Sequence, residues 1–426
     1  MNEDFIHYLW KHKLYNAGDY ATDLGEPLEI IHPGLPNTDA GPDFFNAKVK
    51  IGDTLWAGNI EIHLKASDWI KHNHNKDKAY DNVILHVVTE NDMQVSTTKG
   101  RIIPTWQMPI PGSLFDRYRA LNHSSNSIPC AGKVNNLNPL AFYSWLERMA
   151  VEKLQDKVKQ IEQIYRNYNS DWDEVLYVML TRNFGYGINS QPFEQLARLT
   201  PWRTVLKNRD DVLRLEALFL GQAGLLSPTK DDDAYTQKLR SEYLLLKTKY
   251  GLSAVEAHQW KFLRLRPSNF PSIRLAQLAS LFHRKQISLQ NLLSAQSAKE
   301  LSAMLSVSTS DYWITHYRPG AASFSKSKNL GKQSCELIII NTIIPLTFAY
   351  GQLRGDDQLK DKAISWLEAL KPEKNSIIDS WNKMNMRSYN AMQTQAIIHL
   401  TRKYCHHKRC LHCRIGHLLI ASSQNS

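Results

Sequence analysis

Residues 59–65 alternate strictly between apolar and polar side chains, and this period of two predicts a β-strand with two unlike faces. The apolar face carries Ile60, Ile62 and Leu64, and the polar face carries Glu61, His63 and Lys65. Neighbours on one face of a strand lie roughly 6–7 Å apart. An acid, an imidazole and an amine on this face can therefore reach one bound ion or phosphate.

A second acid, Asp43, follows the corner Gly41-Pro42, and a hairpin through Gly52-Asp53 is expected to join it to the alternating strand. This pattern resembles the PD-(D/E)XK nuclease superfamily, in which an Asp begins one strand and a Glu-x-Lys lies on the next. The resemblance implies that Asp43 and Glu61 hold Mg²⁺ or Mn²⁺ and that the chain is a metal-dependent nuclease.

The third motif position departs from that family, because His63 stands where the lysine is expected and Lys65 comes two residues later. Three alternatives follow. Lys65 reaches back along the same face, His63 takes the role of general base, or the site is inactive and the chain only binds nucleic acid or acts as a scaffold.

A second polar group follows the strand, with His72 and His74 flanking Asn73 and Asp77 close behind. Histidines beside a metal-binding acid are similar to the mismatch-repair branch of the same superfamily. The resemblance implies that His72, His74 and Asp77 assist catalysis, whereas as ordinary residues they would form a solvated loop.

The chain also resembles, nearly end to end, a bacterial protein family of uncharacterised function. The similar blocks are Ala40-Gly41-Pro42-Asp43-Phe44, Glu61-Ile62-His63, Arg266-Pro267-Ser268-Asn269-Phe270-Pro271 and the cysteines from Cys405 onward. Membership of such a family supplies no activity, so the nuclease hypothesis depends on the residues alone.

The formal net charge of +11 is unevenly distributed along the chain. Residues 1–136 carry 13 Lys and Arg against 16 Asp and Glu, which leaves 39 against 25 in residues 137–426. A basic region of this size favours a nucleic-acid partner, although a solvated basic face or an acidic protein partner would also fit. The residues that we expect to bind nucleic acid are Lys261, Arg264, Arg266 and Arg274.

Periodicity predicts an α+β protein. A helix over 4–15 is followed by a mostly antiparallel mixed sheet with strands at 28–32, 44–51, 54–65, 83–89, 93–97 and 101–107, and then by many helices. We expect a nuclease-like α/β domain at 1–120, a linker at 121–136, a basic all-α domain at 137–400 and a Cys/His-rich tail at 401–426. The longest apolar run, residues 337–344, is too short to cross a membrane and no signal peptide is evident, so a cytoplasmic location is expected.

Three of the five cysteines, Cys405, Cys410 and Cys413, form a C-x4-C-x2-C cluster. In a reducing compartment such a cluster is typical of metal binding, and tetrahedral Zn²⁺ requires a fourth donor. His417 or Cys130 could provide it. Four thiolates would also suit a 4Fe–4S cluster, and free thiols are the third alternative.

Overall fold

The computed structural model describes residues 1–16, 18–168, 170–230 and 232–422, and it forms two compact units. One unit, called the sheet unit below, comprises Met1–Trp145 and Leu400–Ser426. The other, called the helical unit, comprises Leu146–His399. The α+β expectation is confirmed, because a mixed sheet comes first and a larger helical region follows.

The sheet unit contains seven strands within the described residues, in the order β1-β2-β4-β5-β6-β7, with β3 paired to β4. The strands are β1 (Tyr20–Ala21), β2 (Pro27–His32), β3 (Leu35–Pro36), β4 (Phe44–Ile51), β5 (Thr54–Lys65), β6 (Val83–Glu90) and β7 (Thr105–Gln107). Pairing is antiparallel from β1 to β5, whereas β5–β6 and β6–β7 are parallel. The strand predicted at 93–97 is wrong: its one described pairing is an isolated bridge from Ser96 to Ile102.

The hairpin β4–β5 has the predicted bounds because both strands alternate apolar and polar residues and Gly52-Asp53 closes the turn. In its register Phe44 lies opposite Ile60, so Asp43 is placed at the start of β4 beside Glu61 on β5. Helix α1 (Glu3–His12) comes first, and the antiparallel strands β2, β4 and β5 follow it. A short helix then leads to β6, which returns parallel to β5.

The crossover from β5 to β6 covers the polar face of β5. It contains α2 (Asp68–Lys71) and two short 3₁₀ turns, and its Trp69 and Tyr80 are buried in one apolar cluster with Val83 and Val88. Glu61 and His63 are consequently only 4 % and 2 % exposed. Alternation in the sequence separates two faces without telling which of them is covered.

Two more helices follow the sheet. These are α3 (Gly112–Asn122) and α4 (Pro139–Asn167), which begins in the sheet unit and continues into the helical unit. Between them Ile128, Cys130 and Val134 are buried, so the segment expected to be a linker is packed against the sheet unit.

The helical unit is built from α-helices and one small hairpin. Its helices after α4 are α5 (Trp172–Asn183), α6 (Ser190–Leu199), α7 (Trp202–Asn208), α8 (Val212–Gln222), α9 (Ala234–Tyr250), α10 (Pro271–His283), α11 (Leu289–Ser294), α12 (Ala298–Leu305), α13 (Lys332–Ile338), α14 (Ile344–Arg354), α15 (Asp357–Ala369), α16 (Ser376–Asn382) and α17 (Ala391–Leu400). The hairpin is β8 (His316–Arg318) with β9 (Ala321–Ala322).

Helices α13 and α14 are continuous through a π-turn at Ile339–Ile343, immediately before Pro345. Because wider turns absorb the missing amide of a proline, the helix runs on past Pro345. The combined segment Lys332–Arg354 is long and apolar enough to cross a membrane, but 72 % of its most apolar window is buried within the protein. It is accordingly a core helix of the helical unit.

The chain then returns to the sheet unit from Leu400 onward and ends its described part in α18 (Arg414–Ala421). Helix α18 contacts α3, and the turn at Cys410–His412 contacts both α1 and α3. The Cys/His-rich tail therefore belongs to the same unit as the sheet.

Gly58 lets β5 and β6 approach closely. A Cβ at this position would lie 2.8 Å from the backbone oxygen of Asn82 and 2.4 Å from Cγ2 of Ile84. We expect Gly58→Ala to destabilise the sheet unit by about 1–3 kcal/mol through overpacking, measured as a lower midpoint of denaturant unfolding. Gly112→Ala is the control, since its Cβ meets no atom within 4 Å, and equal midpoints for the two variants would contradict this packing.

Candidate metal centre

Asp43 and Glu61 are held together by backbone amides. The N–H of Asp43 donates to Oε2 of Glu61 at 3.2 Å, and the N–H of Ile62 donates to Oδ2 of Asp43 at 2.9 Å. These two reciprocal bonds cross the β4–β5 pair. The predicted geometry, two acids side by side on neighbouring strands, is therefore present.

Two histidines contact the other oxygen of Glu61, and a third contacts one of those two. Nε2 of His74 lies 3.1 Å from Glu61 Oε1, Nε2 of His63 lies 3.5 Å from the same oxygen, and Nδ1 of His72 lies 3.2 Å from Nε2 of His63. One ligand atom from each histidine lies within 4.8 Å of the other two. His72 is exposed whereas His63 and His74 are buried, so the cluster is open to solvent on the His72 side.

These distances fit a shared metal ion. Tetrahedral bonds of about 2.0–2.1 Å place neighbouring ligand atoms about 3.3 Å apart. Hydrogen bonding alone accounts for the cluster less well, because a neutral imidazole has one donor and one acceptor. His63 makes three polar contacts, two through Nε2 and one through Nδ1 to Nε2 of His86 at 2.8 Å.

His63 and His86 are neutral at physiological pH, which is the form of imidazole that binds metals. Burial lowers the pKa of each to about 3, helped by three neighbouring histidines at His63 and by His74 alone at His86. When Nε2 of His63 is a ligand, its Nδ1–H donates to His86 and orients the ring, as outer partners of metal-bound histidines commonly do.

Burial, opposed by His74 and supported by the charge of Asp43, raises the pKa of Glu61 to about 7. A buried carboxylate with this pKa gains from a neighbouring cation, which favours its ionised form. The electrostatics of Glu61 thus match a position beside a positive ion.

Several residues complete the site without having been predicted. Tyr80 stacks on His74 with a centroid distance of 3.8 Å, and Nε2 of His7 lies 3.2 Å from Oδ2 of Asp43. Although burial opposes it, Asp43 raises the pKa of His7. The sequence contained a signal for His86, because this histidine interrupts the apolar run of β6. His7 on α1 gave none, because only the tertiary fold brings it to Asp43.

Two predicted site residues lie elsewhere. Nζ of Lys65 is exposed and pairs with Glu90 at 2.9 Å. Both residues are the last of their strands, β5 and β6. Asp77 accepts the N–H of Ala79 at 2.9 Å and begins a 3₁₀ turn. The structure gives these side chains a surface ion pair and a helix cap.

The predicted nucleic-acid residues separate into two groups. Lys261, Arg264 and Arg266 are exposed, whereas Arg274 is only 6 % exposed. Arg274 donates to Gln277 at 2.9 Å and to Asn269 at 2.7 Å, and its guanidinium lies 4.4 Å from the centre of the Tyr186 ring. Its assignment to a nucleic-acid surface is wrong because it is a core residue of the helical unit.

The predicted cysteine site is in the sheet unit, where all four of its thiols are buried. Among the described residues they do not form a group at the 4.8 Å spacing of the histidines. The alternative donor His417 is engaged with Tyr8, whose hydroxyl lies 3.0 Å from its Nδ1.

Comparison with known proteins identifies a family. Residues 3–376 of the chain match the model of the DUF2851 family, which is described as a protein of unknown function. None of the curated proteins and none of the solved structures matches it. The nuclease resemblance therefore stays a prediction.

The histidine-rich donor set predicts metal preference. We expect Zn²⁺ and Co²⁺ to bind more tightly than Mn²⁺, and Mg²⁺ most weakly, because imidazole favours the later ions and Mg²⁺ prefers oxygen donors and water. Calorimetric titration with Mn²⁺, for which thiolates compete poorly, isolates this site from the cysteines.

In that titration His74→Ala removes a ligand and should abolish binding, and His86→Phe should weaken it by about 10–100-fold. The exposed His123→Ala is the matched control. Unchanged Mn²⁺ affinity in His74→Ala would show that the histidines are only a hydrogen-bonded cluster.

Proposed function

We propose that this chain, which belongs to the DUF2851 family of unknown function, is a metal-dependent nuclease whose centre lies in the sheet unit. The observation that carries the proposal is the cluster of His63, His72 and His74, whose ligand atoms lie within 4.8 Å of one another. Glu61 lies beside His63 and His74 and is bonded to the amide of Asp43. The sheet unit has the element order of the PD-(D/E)XK core, which is a helix, an antiparallel meander, a short helix and a parallel strand. This agreement is an analogy of fold and raises the expectation only.

The residues have separable roles. The three imidazoles would hold a divalent ion, Mn²⁺ or Zn²⁺ by their chemistry and Mg²⁺ less readily, and Oε1 of Glu61 lies beside two of them. The bound ion supplies the Lewis acidity that phosphodiester hydrolysis requires. Asp43 and His7 lie at the edge of the cluster, where Asp43 is one quarter exposed and can face a substrate.

The position of Lys65 bears on how water is activated. Its ammonium is exposed at the end of β5 and pairs with Glu90, so the lysine alternative receives no support. His63 is buried, neutral and already in three contacts, which suits a ligand better than a general base. His72, the exposed member of the cluster, is the side chain best placed to exchange protons with solvent.

The lack of a lysine at the motif position also favours a second function. A site that lacks the motif lysine, and whose two acids already accept backbone N–H groups, also suits a non-catalytic nucleic-acid-binding or scaffold protein. The two proposals differ in one measurable property, which is turnover.

We expect the purified chain to cleave labelled single- or double-stranded DNA or RNA in Mn²⁺ or Zn²⁺. Glu61→Gln and His74→Ala should each reduce the rate on the order of 100-fold or more, since each removes stabilisation of charge at the reacting phosphate. Lys65→Ala should retain the rate of the parent protein. Tight binding of nucleic acid without cleavage in any of these ions would support the binding protein instead.

The helical unit carries a surface that fits the nucleic-acid partner. Arg318 lies over the rings of Phe262 and Phe270, 4.5 Å and 5.1 Å from their centres, and Arg264 and Arg266 are exposed between those rings in the sequence. Guanidinium groups interleaved with aromatic rings suit stacking on unpaired bases together with contacts to phosphate.

We expect the double variant Arg264→Glu, Arg266→Glu to weaken binding of single-stranded oligonucleotides and to flatten the dependence of affinity on salt, because fewer counterions are released. Fluorescence anisotropy across a salt series measures both. The control is Lys299→Glu, Lys383→Glu, which makes the same charge change at exposed residues of the same unit. An equal loss in both variants would indicate only long-range charge.

A further inference from the structure

The basic segment 261–270 of the helical unit is held at both ends by buried side chains. The side-chain amide of Asn189, which is 3 % exposed, donates to the carbonyl oxygen of Lys261 at 3.0 Å and accepts its N–H at 2.9 Å. At the other end the buried Arg274 donates to Oδ1 of Asn269 at 2.7 Å. The core of the unit thus fixes the position of an irregular, exposed segment.

Within this segment Arg264 has an uncommon backbone conformation. Its φ of 62° lies in the left-handed region, which residues other than glycine seldom adopt. The side chain of Arg264 is exposed, and that of its neighbour Leu263 is 89 % exposed. A costly local conformation that leaves a cation in solvent is typical of a binding loop.

The hairpin β8–β9 places a planar cation beside the same segment. The rings of Phe262 and Phe270 lie 5.2 Å apart, and the guanidinium of Arg318 covers both of them. Arg318 is itself exposed. A guanidinium plane backed by aromatic rings can stack on an unpaired base.

The loop that follows β9 presents a further aromatic ring, Phe324, which is 97 % exposed. The chain is tied down on both sides of this ring. The N–H of Ser323 donates to the carbonyl oxygen of Thr315 at 2.6 Å, and the N–H of Lys326 donates to that of Ile314 at 2.9 Å. An exposed ring adds little to the stability of the fold, so Phe324 is free to contact an occupant.

Charge identifies the chemistry of that occupant. Neither residues 257–299 nor residues 312–335, from which the two loops come, contain Asp or Glu. A polyanion is therefore favoured. Anionic membranes also attract cations, but insertion into a membrane uses a contiguous apolar face, which Leu263 and Phe324 on separate loops do not form.

The planar side chains favour an unpaired strand over a duplex. In a duplex the faces of the bases are already stacked on one another, whereas an unpaired base can stack on an aromatic ring or a guanidinium. Phosphate contacts alone would not distinguish the two, because both kinds of strand carry them. Phe324 has no charge, so stacking is the interaction with a strand that its ring can supply.

We infer that segment 261–270 and loop 318–326 form one binding site for an unpaired nucleic-acid strand, with Phe324 stacking on a base. The exposed cations Arg264, Arg266 and Lys326 would contact phosphates along the strand. This inference rests on the nucleic-acid partner proposed above and specifies the class of that partner. It makes Phe324 the residue that distinguishes unpaired strands from duplex.

Fluorescence anisotropy of the full chain with labelled oligo(dT), longer than the roughly 16 nucleotides of the larger single-strand sites, tests this. A labelled duplex of the same length is the second probe, and no divalent ion is added, so that cleavage does not interfere. We expect Phe324→Leu to weaken oligo(dT) binding by about 5–100-fold and to leave duplex binding unchanged. Phe324→Tyr, which keeps the ring, should bind oligo(dT) as the parent protein does.

Tyr389→Leu is the matched control, because it removes another exposed ring of the same unit and should change neither affinity. Since both rings lie in solvent, we expect all variants to keep the melting temperature of the parent protein. Unchanged oligo(dT) affinity in Phe324→Leu, or an equal loss for both probes, would overturn the inference. Binding to vesicles of anionic lipid but not to oligo(dT) would overturn it in favour of a membrane surface.

The outcome is separable from that of the nuclease proposal. A chain that cleaves nucleic acid in Mn²⁺ or Zn²⁺ but binds oligo(dT) equally well with Leu in place of Phe324 would refute this inference alone. A chain that loses oligo(dT) affinity in Phe324→Leu but shows no turnover would refute only the nuclease proposal.

Discussion

The burial of Glu61 on an inner strand is the constraint on which the rest of the sheet unit depends. A carboxylate removed from water needs partners for both oxygens, or its charge is lost. One oxygen receives the amide of Asp43, which fixes the start of β4, and the other faces His63 and His74. The crossover that carries His74 must therefore fold back over β5, and Trp69 and Tyr80 hold it there.

The site and the basic surface belong to different units, and they use different chemistry. The sheet unit presents buried imidazoles and acids at short, fixed distances, which suits a metal ion. The helical unit encloses its polar groups within its own core: Glu216 is fully buried and accepts from Ser310, Tyr235 and Trp313. Near Phe262 and Phe270 the surface of that unit carries positive charge beside aromatic rings.

The sequence predicted the hairpin β4–β5 and its acids well because alternation and a Gly-Asp turn are local signals. It did not predict that Glu61 and His63 are buried, because the covering crossover is a tertiary contact. Arg274 was misplaced for a related reason: charge counted along a window does not tell which face of a helix packs, and its partners Asn269, Gln277 and Tyr186 come from three segments.

The return of residues from Leu400 onward to the sheet unit sets an order for biosynthesis. The ribosome makes the sheet first, then the 254 residues of the helical unit, and only afterwards the turn and helix that pack against α1 and α3. The first unit to be translated is therefore the last to be completed. Until then the faces of α1 and α3 that receive the tail stay uncovered, and the nascent chain must keep them from other partners while a whole second unit folds.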